Sequence, residues 1–382
     1  MTVDTPPTTQ WSLWRAHPSG ADYTLGVEEE VMLLHPHDWS LAQQSDRVLK
    51  TLPPDLSHQV TPETHRSALE LATGVHGRVE GVGEELSGLR QALASQLALL
   101  GLRAAVAGTH PFTVWQETVV SEGSRYEAVY SSMRELARRE PTFALHVHVG
   151  VRDPEDAIRT ADRLRAHIPL LLALSANSPF WQGRNSGFAS MRTPLFQAFP
   201  RVGIPRAFGS YDEYVTSVEQ LLRSNAMPEP TFLWWDVRPQ PGFGTVEVRI
   251  MDAQWSVERT LPLVALVQCL ARLEREEGYA SSTLLSAPEV LEENRFLASR
   301  DGVDAMLILP GIGQRVPVRV LIEEMLPALY SHAQDLRCDS ELMGVSELIA
   351  RPSAARQVEI ARRLGRLPGL VDTLAAEFAP TD

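Results

Sequence analysis

Glutamates and histidines spaced two residues apart inside aliphatic runs set the tightest limit on how this chain folds. Glu28, Glu30, Glu70, His146, His148, Glu247 and Arg249 all alternate with aliphatic neighbours. In a strand, successive side chains point to opposite faces, so residues i and i+2 share a side. The run from Tyr23 to Leu33 puts Leu25, Val27, Val31 and Leu33 on one face, and Glu28 and Glu30 on the other. Between Phe143 and Val151 the aliphatic set is Phe143, Leu145, Val147, Val149 and Val151, opposed by His146 and His148. Thr245 to Met251 repeats the pattern, with Val246, Val248 and Ile250 opposite Glu247 and Arg249. Glu70 stands between Leu69 and Leu71 in the same manner. Glu29 breaks the rule: it points to the aliphatic face and needs a partner there.

One such strand alone would read as an ordinary half-exposed strand with its polar side in water. Solvated faces usually carry Thr, Lys, Arg, Ser and Gln, whereas these carry acids and histidines. Clustered carboxylates repel, and each partly desolvated charge costs on the order of several kcal/mol unless it is paired or bound to metal. The segments together therefore predict a divalent-metal site on the open face of an antiparallel sheet.

Composition removes several other chemistries. The chain has 382 residues, 44% of them hydrophobic, with a net charge of −13. That is enough for a large core, and the acidic balance without a basic stripe argues against nucleic acid and anionic membranes as partners. No apolar run approaches the roughly 18 residues that cross a bilayer. The first 20 residues lack the charged-then-apolar order of a signal peptide, so a cytoplasmic location is expected. Lys50 is the only lysine. This excludes a phosphate loop of the Gly-x-x-x-x-Gly-Lys type and disfavours Schiff-base chemistry. Any phosphate must be handled by arginines and metal ions. The only cysteines are Cys269, in the helical run 263–270, and Cys338, which disfavours a disulfide scaffold or thiol catalysis. There is no Gly-x-Ser-x-Gly or His-Glu-x-x-His motif, and the pairs Gly81/Gly83, Gly242/Gly244 and Gly311/Gly313 lack the third glycine of a dinucleotide fingerprint.

Along the chain, residues 1–21 read as a disordered arm and 22–370 as one catalytic domain. A helix is expected over 78–102, where Val82, Leu86, Leu89, Leu93, Leu97 and Leu100 recur every three or four residues. Residues 103–108 suggest another buried strand. The polar stretch 109–141, with Trp115, Tyr126 and Tyr130, suggests an active-site loop bearing a helix. Asp153-Pro154-Glu155-Asp156 opens a helix expected to reach about residue 175. The stretch 177–205 is aperiodic and of a length usually kept for function. Ser210-Tyr211-Asp212-Glu213 is a capping box. Strands over 232–238 and 244–252 suggest a hairpin through Pro239-Gln240-Pro241-Gly242. Beyond residue 256 the pattern is helical, near 258–277, 288–299, 316–336 and 353–366. Strands first and helices last predict an α+β fold, an antiparallel sheet with helices packed on one face.

Longer motifs surround these residues. They are Gly26-Val27-Glu28-Glu29-Glu30, Gly108-Thr109-His110-Pro111-Phe112, His146-Val147-His148-Val149-Gly150, and Asn177-Ser178-Pro179-Phe180-Trp181-Gln182-Gly183-Arg184. Trp235-Asp236-Val237-Arg238-Pro239, Gly244-Thr245-Val246-Glu247-Val248-Arg249 and Glu292-Glu293-Asn294-Arg295 follow. In that order, over roughly 22–365, they resemble the bacterial carboxylate–amine ligases of the glutamate–cysteine ligase type 2 family. The resemblance implies a sheet related to glutamine synthetase and the guanidino kinases, whose concave face binds ATP and Mg²⁺, with Mn²⁺ as the alternative metal. It implies phosphorylation of a substrate carboxylate and displacement of the phosphate by an amine.

By the same resemblance, Glu28, Glu30, Glu63, Glu70 and Glu247 are expected metal ligands. His148 or His146 would complete the set; His148 is taken as the ligand and His146 as a substrate contact. Arg249, on the face of Glu247, is expected with it at the reaction centre. Arg184, Arg192, Arg238 and Asn177 are expected to contact nucleotide or substrate. Ala68, Asn185 and Met191 depart from the family pattern at glutamine, aspartate and tyrosine positions, which leaves the substrate pair open. Relatives imply a homodimer acting on small molecules. The competing readings are a guanidino-kinase-like phosphotransferase, a metal-dependent amide hydrolase and a non-catalytic binding protein.

Overall fold

Seven antiparallel strands carry the patterned segments in a computed structural model that describes residues 10–379 except 140 and 312. They are β1 (Leu25–Leu34), β2 (Val60–Pro62), β3 (Ala68–Ala72), β4 (Arg103–Ala105), β5 (Ala144–Gly150), β6 (Val237–Gln240) and β7 (Thr245–Asp252). Their order is β6-β7-β5-β1-β3-β2, with β4 paired to the end of β1. Val27, Leu145, Val147, Val149, Val246 and Val248 are almost wholly buried on one face. Helices Val79–Leu99, Pro154–Leu164, Ile168–Ser175 and Val257–Glu276 cover that face. The α+β expectation is met. Among the described residues, no helix is long and apolar enough to cross a membrane.

Several boundaries differ from the sequence reading, each for a local reason. The helix expected to run to residue 175 is broken by a 3-10 turn, Arg165–His167, and restarts at Ile168–Ser175. Pro169 has no N–H to continue the ladder and seats itself in the first turn of the new helix. The 103–108 strand is ordered as β-structure only over Arg103–Ala105. Of the 232–238 segment, Pro230–Phe232 is a 3-10 turn and pairing with β7 begins at Val237. Pro239 lies inside β6, which is allowed because β6 is the edge strand. The hairpin turn is thereby moved to Pro241–Gly244. A last helix, Leu367–Phe378, buries Leu370, Leu374 and Phe378 against β4 and its neighbours, so the packed body extends past residue 370.

The arm expected to be loose through residue 21 is seated from Gln10 onward; residues 1–9 lie outside those described. Trp11 and Trp14 pack edge-on against Tyr214 and Tyr211, and the Trp14 indole donates to the Val151 carbonyl at 2.8 Å.

Glu29 has the partner that its position demands. Arg90, from the Val79–Leu99 helix, donates Nε to Glu29 Oε2 at 2.8 Å and Nη2 to Oε1 at 2.5 Å. The remaining guanidinium donors meet the carbonyls of Trp255 and Gln254. Both side chains are essentially inaccessible, at 1% and 0%. The pair ties β1 to the helix layer and to the segment that follows β7. Removing one member strands the other charge, a loss of about 3–5 kcal/mol. Arg90→Leu is expected to lower the unfolding free energy obtained from urea titration by an amount of that size. Restoring neutrality with Glu29→Gln in the same chain should recover part of it.

His110 supplies a second test. Its Nδ1 accepts from the Thr113 N–H at 3.0 Å, and its Nε2 faces the Trp39 carbonyl at 2.8 Å. The ring is therefore held neutral with the proton on Nε2. Burial drives its pKa from the usual 6.5 down to about 4, against the pull of the Trp39 carbonyl. An unfolded chain protonates this ring at a higher pH than the native one does. Its contribution is thus complete above about pH 6.5 and is lost as pH falls through 4. Urea midpoints at pH 7 and pH 5 should differ less in His110→Gln than in the unaltered chain.

Candidate functional site

Strand register converts the two-residue spacing into a single polar surface. Glu28 of β1 lies opposite His146 of β5, and Glu30 lies opposite Glu70 of β3, which in turn faces Thr61 of β2. Across β7, Glu247 stands between His148 and Arg238. Directly opposed residues bring their Cβ atoms within about 5.5 Å, so these side chains must meet. Between Val248 and Met251 the pairing of β7 with β5 slips by a residue. This bulge swings Arg249 over His146, Nη1 to Nδ1 at 3.4 Å. Met251 pairs with Leu145 beyond the bulge, and Ile250, expected on the aliphatic face, belongs to that core but also borders the cavity. Bulges that re-aim a side chain beside a site are a recurrent device.

The surface forms the floor of a cavity of about 400 Å³. Its walls come from the helix Ser124–Met133, from Arg192, Thr193, Phe196 and Phe199, and from Thr231, Trp234 and Asp236. Five glutamates line it: Glu28, Glu30, Glu63, Glu70 and Glu247. Glu247 is well compensated. Arg238 Nε and Gln240 Nε2 each donate to its Oε2 at 2.8 Å, and Arg249 holds its Oε1. Burial opposes ionisation of Glu247, but Arg238 and Arg249 outweigh it and keep the carboxyl well below its usual range. Glu28 is likewise held low: burial works against it, and His148 and His146 prevail.

Glu30, Glu63 and Glu70 have no such support. Burial, then the Glu63 charge, pushes Glu30 up to about 8. Burial together with Glu28, Glu63 and Glu30 raises Glu70 well above the carboxylate range, and burial raises Glu63. Their hydrogen bonds come from neutral donors: Thr61 Oγ1 to Glu70 at 3.3 Å, the Ala144 N–H to Glu30 at 2.7 Å and the Thr64 N–H to Glu63 at 2.9 Å. A bound cation would supply the missing positive charge. Three sets place ligand atoms within 4.8 Å of one another: Glu30, Glu63 and Glu70; Glu28, Glu70 and His146; and Glu28, His148 and Glu247. His148 Nδ1 is 2.9 Å from Thr245 Oγ1, while its buried Nε2 has no hydrogen-bond partner among the described residues and faces Glu28 Oε1 at 3.4 Å. An imidazole fixed from behind with its other nitrogen unpartnered is the arrangement of a metal-ligating histidine. The residues fit a hard divalent cation, with the all-oxygen set best matched to Mg²⁺.

Most expected site residues converge here: Glu28, Glu30, Glu63, Glu70, His146, His148, Glu247, Arg249, Arg192 and Arg238. Two do not. Arg184 is exposed on the small ribbon of Phe180–Trp181 and Arg184–Asn185, away from the cavity lining. Asn177 is wholly buried, donating to the Ala253 carbonyl and accepting from Gln357, and thus holds a loop rather than a ligand. Arg192 reaches the cavity because Asp252, Ser178 and Ser190 order the loop around it. Its Nη atoms meet the carbonyls of Ile250 and Arg249, and its Nε has no partner among the described residues. Sequence reasoning pointed to the loop of Tyr126 but missed Arg125, Trp234, Asp236 and Arg295 as cavity residues. Asp236 and Arg295, paired at 2.6 Å, stood in the quoted motifs. Tyr126 stood among the aromatics that marked 109–141 as an active-site loop, and Arg125 carried no signal of its own.

Comparison with solved structures defines the class of fold. Glutamate–cysteine ligase of Francisella tularensis, solved in complex with AMP, superposes with a TM-score of 0.70 at 12% identity, over 97% of this chain and 90% of that one. The bifunctional glutathione synthetase of Pasteurella multocida gives 0.69 at 14% identity, over 94% of this chain but only 52% of its own. At such identities the likeness is one of fold. Sequence goes further: residues 24–364 match glutamate–cysteine ligase family 2 (GCS2), and the chain belongs to that family. A Rubrobacter xylanophilus protein provisionally named glutamate–cysteine ligase 2-1 is 40% identical over 90% of this chain and 91% of its own. A Sorangium cellulosum relative with a similar provisional name is 36% identical over 92% and 95%.

The charge imbalance yields a signed prediction. Glu70→Gln removes one uncompensated carboxylate, so it should raise the melting temperature of the metal-free protein. Mg²⁺ or Mn²⁺ at a hundredfold excess over its Kd should stabilise the unaltered chain by about 2.7 kcal/mol. That increment should vanish in Glu70→Gln when melting is followed with and without chelator.

Proposed function

We propose that this protein is an ATP-dependent carboxylate–amine ligase of the glutamate–cysteine type. The observation that carries the reading is the cavity in which an uncompensated cluster, Glu30, Glu63 and Glu70, adjoins the buried Arg192 and Arg238 and the half-buried Arg249. Family membership and relatives named for glutamate–cysteine ligation support it. In the proposed sequence a substrate carboxylate oxygen attacks the γ-phosphorus of ATP and ADP leaves. The resulting acyl phosphate is attacked by an amine, and phosphate departs as the amide forms. Divalent cations supply charge neutralisation and alignment for the phosphoryl group.

The chain's own residues perform the remaining work. Glu28, Glu30, Glu63, Glu70, Glu247 and His148 are assigned to the cations. Arg249 can move its free donors toward phosphate oxygens, because Glu247 anchors only one end of its guanidinium. Arg238 commits four of its five N–H donors to Glu247 and to the Thr231 and Leu233 carbonyls. It therefore holds Glu247 and does not reach substrate, a narrower role than the sequence suggested. Arg192, in the cavity wall, supplies positive charge beside Glu30 for an anionic group. The helix Ser124–Met133 and Trp234 roof the cavity and limit water there, which suppresses hydrolysis of a reactive acyl phosphate.

With Mg²⁺, ATP, glutamate and a panel of amino acids and amines, ADP should form only when carboxylate and amine are both present. Mass detection should show the amide. Glu247→Gln should lower turnover at least about a hundredfold, the scale set by groups that support a metal site. ADP formed without any amine, together with a phosphorylated product, would replace the ligase with a phosphotransferase. Amide cleavage without ATP would replace it with a hydrolase.

A further inference from the structure

The amino-terminal segment touches the β6–β7 hairpin at the one turn that leads into the metal-facing residues. The Arg15 N–H donates to the Pro241 carbonyl at 2.9 Å. Gly244 has φ +66°, and a Cβ there would lie 2.3 Å from the Arg15 carbonyl oxygen, so the two backbones are in direct contact. Trp14 reinforces this from the other side. Its indole donates to the Val151 carbonyl, while the Val151 N–H donates to the Gly244 carbonyl at 3.0 Å. Ser12 is fixed in turn by the Tyr211 hydroxyl at 2.6 Å from its carbonyl. A segment held at Ser12, Trp14 and Arg15 thus clamps the turn Pro241–Gly244 from outside.

That turn has two outputs toward the site. Phe243, at the cavity edge, meets the His148 ring edge-to-face at 5.8 Å. Thr245, next to Gly244, holds His148 Nδ1 through its hydroxyl. We infer that Trp14 and the strap 12–15 are positioning elements of the metal site: they fix the turn that orients His148, so that Nε2 stays aimed between Glu28 and Glu247. Nothing in the strap touches the reacting groups. The inference rests on the metal-site reading proposed above, and its effect on His148 is measurable without metal.

The test is a double-mutant cycle on direct Mn²⁺ binding, followed by electron paramagnetic resonance of free Mn²⁺. Thr245→Val should weaken Mn²⁺ about tenfold, as expected for loss of the group behind a ligating imidazole. Trp14→Ala should weaken it several-fold. The double variant should be no weaker than Thr245→Val alone, because both changes act through one ring. Independent multiplying effects, or a folded Trp14→Ala with unchanged Mn²⁺ affinity, would overturn the inference. Trp14→Phe, which keeps an aromatic ring but deletes the indole N–H donor and its pyrrole half, serves if the alanine variant fails to fold, with the same two criteria. Should the unaltered protein bind no Mn²⁺, the metal reading fails by itself. The strap is then judged on the His148 ring nitrogen signals in NMR, which should move in the Trp14 variant and whose constancy would refute it.

Discussion

Like charges on one sheet face are the constraint around which this molecule is arranged. Antiparallel register puts Glu28 against His146, Glu30 against Glu70, and Glu247 between His148 and Arg238. The backbone relieves the repulsion that follows only in part, through the Ala144 N–H on Glu30 and the Thr64 N–H on Glu63. Relief is uneven: arginines and histidines settle the Glu247 end, and the Glu30–Glu63–Glu70 end is left in deficit. A protein selected for stability alone would have replaced those acids. Under the proposed function, a cation and charged substrates would complete the balance.

The opposite face shows how the cost is contained. Its aliphatic rows are packed by helices with almost no polar interruption, and the one carboxylate that falls there, Glu29, is matched by Arg90 with every strong donor used. The contrast is instructive. The same residue type is satisfied completely in the core and incompletely in the cavity. Incomplete pairing of a buried acid is therefore a property of the site and not of loose design.

Much of the site was legible because period-two alternation is a local signal. Glu28, Glu30, His146, His148 and Glu247 could be assigned to one face from their neighbours alone. Glu63 and the loop arginines rested on resemblance, and there the record is mixed. Arg192 reaches the cavity, whereas Arg184 and Asn177 sit in a loop that the Asp252–Ser178–Ser190 network folds outside it. Such a network links residues more than sixty positions apart, so no local pattern announces it. The loop of Tyr126 was legible from its polar, aromatic stretch, whereas Arg125 was hidden, since its place depends on how that loop crosses the finished sheet.

By itself the sequence determined the alternating faces, the antiparallel α+β class, the dependence on arginine where lysine is absent, and the need of Glu29 for a buried partner. These follow from side-chain periodicity and charge, which act over a few residues. Tertiary structure decided which strands adjoin and how β7 bulges to aim Arg249. It also decided that the arm from Gln10 is a strap and that one cluster of acids is left short of positive charge. Those outcomes depend on distances between segments far apart in the chain, and only the folded arrangement sets such distances.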